Sequence, residues 1–265
     1  MMTNETKYGI VSPIMASHDK AYIYGKHAVA EALTKAPHAL EKVFLAEDFR
    51  DDELRLSLQR AHVRIGVLSA KQTANKEIEQ AAHQGVIGVI DPSKLMREYH
   101  DFMRSFAATP NTLFVILGEV QDPHNVGAII RSAAAFGASA IFMPEHNQAP
   151  ITGTVAKVSA GMVFHIPLVT IGNINTTIGD LKERGFWIYG LASEATEMIG
   201  NEAFDTPSAL ILGNESTGIR EKTREHCDKL LAIPMAKGCE SLNVAASAAV
   251  AMYAWSVKHP KVVGK

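Results

Sequence analysis

The chain predicts an α/β protein built on a parallel sheet and organised as two units of unequal size. Two patterns carry this reading. Short, continuously apolar runs alternate with segments of helical period, which fits strands covered on both faces better than strands with one wet side. The alternation breaks once, at Asp91-Pro92 and the charged stretch behind it. The expected organisation is therefore a tail over 1–20, a smaller α/β unit over 21–92, a linker over 93–110 and a larger unit over 111–265.

The elements follow in order. In the first unit, GKHAVAEAL (25–33) sets Val29, Ala32 and Leu33 at helical spacing, and KVFLA (42–46) reads as a strand. Asp51 and Asp52 open an amphipathic helix through Leu54 and Leu58. VRIGVL (63–68) and GVIGVI (85–90) read as strands, with Ser69 able to cap a helix between them. In the second unit LFVILG (113–118) is a buried strand, NVGAIIRSAAAFG (125–137) a helix closed by glycine, and SAIFM (139–143) a strand. GFWIYGL (185–191), ALILG (209–213) and LLAIP (230–234) continue the strands, and SLNVAASAAVAMYAW (241–255) is the long last helix.

Composition bounds the function. The 265 residues are 47% hydrophobic and 20% charged, enough for a sizeable core. The two cysteines, Cys227 and Cys239, are too few for a disulfide scaffold and point to a reducing compartment. No apolar run reaches the roughly 18 residues a membrane span needs, and no secretory signal is read at the start, so a cytoplasmic protein without a membrane partner is expected. The usual dinucleotide fingerprint, the phosphate loop, HExxH and GxSxG are all absent. The cysteine spacing offers no zinc site, and no metal is expected.

Three loops are too polar to be mere connectors, and all follow predicted strands of the second unit, where open parallel sheets bind ligands. The first is GEVQDPHNVGAIIR (118–131). Asn125 stands where a helix N-cap is expected, and Gly127 allows close backbone approach. Arg131, about 9 Å further along the axis, could reach back toward a helix N-terminus that already favours anions. The second, LGNESTGIR (212–220), turns through Gly213 and Gly218 with Glu215 between them. The third, IPMAKGCESLNVAAS (233–247), enters the last helix through Ser241, Leu242 and Asn243. Taken singly, each is equally readable as a cap, a glycine turn or tight packing.

Together and in order, DPHNVGAIIRSAAAFG, ALILGNESTGI and IPMAKGCESLNVAASAA resemble the three motifs of the SpoU family of RNA ribose 2′-O-methyltransferases, within the SPOUT superfamily. YGKHAVAEAL and HQGVIGVI resemble the ribosomal-protein-like (L30e-like) RNA-binding domain that precedes the catalytic domain in the ribosomal-RNA branch. The resemblance implies a C-terminal trefoil knot, S-adenosylmethionine as cofactor and a homodimer. It also implies methyl transfer to a ribose 2′-hydroxyl of RNA, expected at a guanosine of large-subunit ribosomal RNA. Transfer-RNA methylation and a catalytically inactive assembly factor are the alternatives. The family's polar positions map onto Asn125, Arg131, Glu215, Ser241 and Asn243, and its cofactor pocket onto Gly213, Ile233 and Leu242, with Leu191 a further candidate. A guanidinium stays protonated in proteins, so Arg131 is read as a phosphate and oxyanion clamp and not as a neutral base. His83 reads as structural, His124 as a turn residue or an RNA contact, and Cys239 as having no role.

Residues 1–110 carry 14 basic and 14 acidic side chains, and residues 111–265 carry 12 and 14. Neither unit is basic overall, so RNA binding must rest on local cations: Lys26 with His27, Arg131 and Lys237 are expected to supply them.

Overall fold

A computed structural model of the chain describes residues 20–68 and 84–264. The expected tail lies outside these residues except for Lys20, as do Ser69 and His83.

The first unit is a mixed sheet. β1 (Ala21–Tyr24), β2 (Leu40–Leu45), β3 (Arg64–Val67) and β4 (Val86–Ile90) lie in the order β1-β4-β2-β3. β4 runs antiparallel to both β1 and β2, and β3 runs parallel to β2. α1 (Lys26–Lys35) buries Val29 and Ala32, and α2 (Asp52–Arg60) buries Leu54 and Leu58. Asp51 caps α2 by accepting from the Leu54 N–H at 2.9 Å, which satisfies one of the four unpaired donors of a helix start.

The second unit is an eight-stranded sheet in which every pairing is parallel. Its strands are β5 (Met96–Glu98), β6 (Leu113–Leu117), β7 (Ala140–Pro144), β8 (Leu168–Ile171), β9 (Trp187–Leu191), β10 (Glu197–Met198), β11 (Ser208–Leu212) and β12 (Lys229–Ala232). Their spatial order is β10-β12-β9-β11-β6-β7-β8-β5. Within β6, Leu113, Val115 and Leu117 join one buried cluster while Phe114 and Ile116 join another on the opposite face. The first face is covered by α4 (Pro123–Ala135), α5 (Gly153–Val158) and α8 (Val244–Lys258), through residues such as Ile130, Val155 and Trp255. The second is covered by α3 (Tyr99–Ser105) and α6 (Ile174–Glu183), through Phe102 and Leu181. Two covered faces explain why the central strands β6 and β7 are apolar at every position.

Two expectations change. The stretch 93–110, read as a linker, contributes β5, which pairs with β8 at the sheet edge, and α3, whose Tyr99, Phe102 and Met103 are buried. Its charged residues hid a half-buried helix, because only one face of α3 meets the sheet. The helix expected to open at Asn125 opens two residues earlier at Pro123, with Asp122 as its cap, accepting from the His124 N–H at 2.8 Å. Proline at the first helical position is favoured because its missing N–H has no intrahelical partner there.

The two units share one apolar cluster, which runs from Ile23 and Val29 in the small unit to Leu113, Val115 and Ile129 in the large one. α5 begins against β1: a side chain on Gly153 would stand 2.0 Å from the Tyr22 carbonyl oxygen.

Candidate active site

The C-terminal ends of β6 and β11 set two loops side by side. The Gly118 N–H donates to the Leu212 carbonyl at 2.6 Å, extending the β6–β11 register one step past the strands. Beyond that point the second loop folds on itself, with Asn214 and Gly218 exchanging backbone hydrogen bonds at 3.0 Å. Gly213 is required for this: a Cβ there would meet the Gly218 carbonyl carbon at 2.3 Å.

This compact turn aims Glu215 at the first loop. Its carboxylate accepts from the Gln121 N–H at 3.3 Å, the Asp122 N–H at 3.2 Å and the Asn125 amide at 3.1 Å. The Asn125 side-chain oxygen in turn accepts from the Asn243 amide at 3.0 Å. Asn243 caps α8, its oxygen accepting from the Ala245 N–H at 2.9 Å. One chain of hydrogen bonds thus joins three loops. Asp122 takes the capping duty on α4, which leaves both ends of the Asn125 amide for Glu215 and Asn243. Burial pushes the Glu215 carboxyl up, but the Asn125 amide and the backbone N–H groups together outweigh it and hold the group below the usual carboxylate range.

Two residues that sequence reasoning did not single out brace this arrangement. The Arg220 guanidinium reaches the Glu119 carboxylate at 2.7 Å, and the Asn214 amide donates to the Glu119 carbonyl at 2.8 Å. Glu119 itself sits at φ 65, a left-handed conformation that a non-glycine residue adopts only when held there. Nothing local in the sequence announces a pair whose members lie 101 positions apart.

Beside this chain the ends of β9, β11 and β12 and the start of α8 enclose a cavity of about 380 Å³. Leu191, Gly213, Ile233 and Leu242, the four residues expected to line a cofactor pocket, all face it, together with Glu215 and Ser241. Arg131 is not on this wall. It is exposed on α4 and makes no hydrogen bond or ion pair with a described residue. Its expected reach back to Asn125 is not made: a helix turns about 100° per residue, so six residues carry Arg131 about 120° around from Asn125. Arg131 instead shares a side of α4 with His124, seven residues before it, and both are exposed. Gly127 faces α5: a Cβ there would lie 2.8 Å from the Val158 side chain, so this glycine lets α4 and α5 approach.

The local cations divide. Lys26 is in an ion pair with Asp51, so a phosphate would have to compete with that carboxylate for it. His27 and Lys237 are exposed.

Comparison with known proteins places this arrangement. The sequence profile of the SpoU rRNA Methylase family matches residues 112–253, more than half the chain. The chain belongs to the SpoU rRNA methylase family. The profile described as RNA 2′-O ribose methyltransferase substrate binding matches residues 22–96 of this SpoU protein. It is 38% identical over 234 residues to the 23S rRNA (guanosine-2′-O-)-methyltransferase RlmB of Haemophilus influenzae, covering 87% of this chain and 95% of that protein. Its identity to the RlmB of Escherichia coli K12 is 36% over 234 residues, covering 87% and 96%. The SpoU methyltransferase AviRb from Streptomyces viridochromogenes, solved with AdoMet, shares its fold at a TM-score of 0.76 and 20% identity, covering 92% of each chain.

Proposed function

We propose that this protein transfers the methyl group of S-adenosylmethionine to the ribose 2′-hydroxyl of a guanosine in 23S ribosomal RNA, as the names of its RlmB relatives state for those proteins. The observation that carries the reading is the hydrogen-bonded chain Glu215–Asn125–Asn243 standing against the cavity lined by Leu191, Gly213, Ile233 and Leu242.

The cavity fits the cofactor. Its volume falls in the range of about 300–1,000 Å³ typical of small-molecule sites. Apolar side chains at Leu191, Ile233 and Leu242 suit the faces of a purine, and Gly213 leaves backbone exposed for its polar edge. When bound, S-adenosylmethionine supplies an activated methyl on a sulfonium. The chain's residues supply the rest. Asn125, fixed from both sides, orients the ribose from the α4 terminus, and Ser241, whose side chain takes no partner among the described residues, offers a hydroxyl at the cavity rim. Arg131 holds the RNA phosphate and stabilises the developing alkoxide, and positioning for in-line attack supplies much of the remaining acceleration.

The finer architecture belongs to the same reading. The segment 233–243 leaves β12 beyond β9, yet α8 packs on the face of the sheet that also carries α4, supporting a trefoil knot at the cavity. The 21–92 unit acts as an L30e-like RNA-binding domain joined to a catalytic domain over 111–265. α8 exposes Val250, Tyr253 and Val257 along one side, with Tyr253 against Phe136 of the segment that closes α4, a face suited to a homodimer. Such an enzyme works in the cytoplasm; no described helix is long and apolar enough to cross a membrane.

The test is incubation with labelled S-adenosylmethionine and unmodified 23S rRNA, followed by primer extension to map the ribose methyl. One methylated guanosine is the expected result. Label appearing in transfer RNA and not in 23S rRNA would overturn the substrate assignment.

A further inference from the structure

The cavity holds a feature that the methyl-transfer chain does not use. The loop after β9 carries Glu194, and α7 (Glu221–His226) carries Arg224; both line the cavity, and they form an ion pair with each other. The Glu194 carboxylate also accepts from the Ser193 hydroxyl at 3.3 Å. Its own backbone N–H first, and Arg224 second, hold it below the usual carboxylate range, so it is ionised at neutral pH.

We propose that Glu194 and Arg224 bind the zwitterionic amino-acid end of the cofactor, Arg224 receiving its carboxylate and Glu194 its ammonium. This rests on the cofactor assignment above and adds the orientation of the ligand. Three physical points support it. A guanidinium matches a carboxylate in a two-pronged geometry, and the amino-acid end is the cofactor's sole carboxylate-bearing part. Leu191, Ile233 and Leu242 give the cavity apolar surface suited to the purine, and of its charged lining residues Glu215 is already engaged by Asn125 and the first loop, which leaves Glu194 and Arg224 for the charged end. Exposed ion pairs are weak, and Glu194 and Arg224 remain 56% and 27% exposed, so exchanging each other for a ligand's opposite charges costs little. A ribose diol, by contrast, has a use for the carboxylate and none for the guanidinium.

Isothermal titration separates the possibilities with two probes: S-adenosylhomocysteine, which carries the amino-acid end, and 5′-methylthioadenosine, which has the purine and ribose but lacks that end. In the wild type both bind; if neither does, the cofactor assignment itself fails. In Glu194→Gln and Arg224→Lys, S-adenosylhomocysteine affinity is expected to fall roughly 10- to 100-fold, the scale of a lost hydrogen bond to a charged group, while methylthioadenosine affinity stays within about twofold. Retained methylthioadenosine binding also shows that each variant is folded. Parallel loss of both ligands, or no loss of either, would overturn the proposal.

Discussion

The polar residues on the two sides of the proposed reaction centre are held very differently. On the inner side, Glu215, Asn125 and Asn243 use one another's donors and acceptors, and Glu119 with Arg220 locks the turn beneath them. On the outer side, Arg131 and Lys237 stand in solvent without a partner among the described residues, and Ser241 offers an unused hydroxyl. The inner side is organised by folding, so its geometry exists before any ligand arrives. The outer side is left for the substrate, because an arginine already paired within the protein would have to give up that partner to take a phosphate. Pre-organisation and availability are thus assigned to different residues of the same motifs.

The sharpest way to break this comparison is Arg131→Ala. Loss of one transition-state donor is worth roughly 10²–10³-fold in rate, so single-turnover methyl transfer should fall by that order while the unfolding midpoint in urea stays at the wild-type value. A wild-type rate would remove Arg131 from the mechanism; a shifted midpoint would place it with the inner residues.

Asn125→Ala should do both kinds of damage. Glu215 and Asn243 each lose a hydrogen bond, at a stability cost of about 1–2 kcal/mol in total, and the ribose loses its orienting amide. Urea unfolding and single-turnover transfer on one preparation check the two effects together. Unchanged stability would show that the chain seen in the structure contributes nothing to folding.

The pH dependence of stability sharpens the electrostatic side. Glu215 is held below its usual range in the folded state, so its contribution is complete above the unfolded carboxylate value of about 4.3 and disappears as pH falls through the folded value. Glu215→Gln should therefore show a shallower loss of stability on the acid side than the wild type, measured by thermal unfolding across that range. Identical acid limbs would mean that the group has the same affinity for protons folded and unfolded.

The smallest effect belongs to the brace. Arg220 is largely exposed, and pairs of that kind contribute about 0–1 kcal/mol. Arg220→Met should therefore barely move global stability, yet it frees Glu119 and loosens the Glu215 turn, lowering the rate by less than Asn125→Ala does. Reversing the pair, with Glu119→Arg and Arg220→Glu together, should restore part of that rate. No recovery would assign Arg220 to a role unconnected with Glu119.

Much of this was readable before any coordinates. Strands apolar at every position, such as LFVIL at 113–117, announced a sheet covered on both faces, and the glycines of 212–220 announced a tight turn. The four residues expected around the cofactor do line one cavity. What misled was local resemblance between roles. Asn125 has the chemistry of a cap, but Asp122 followed by Pro123 makes a better helix start. Residues 93–110 are charged enough to pass for a linker, but Tyr99, Phe102 and Met103 recur on the one buried face of α3. Lys26 looked like a free cation because its partner Asp51 lies 25 positions away.

The sequence alone determined which segments are buried, where the chain turns, and which side chains carry chemistry, since periodicity and glycine act within a few residues. Tertiary structure decided which of those side chains meet. Asn125 lies 90 positions from Glu215 and 118 from Asn243, yet each pair is joined by a hydrogen bond near 3 Å. Such a contact depends on strand order, which sets β11 beside β6, and on α8 packing against α4. Local pattern encodes the helix and the strand, but a directional bond tolerant of only a few tenths of an ångström is set by how the whole sheet is assembled.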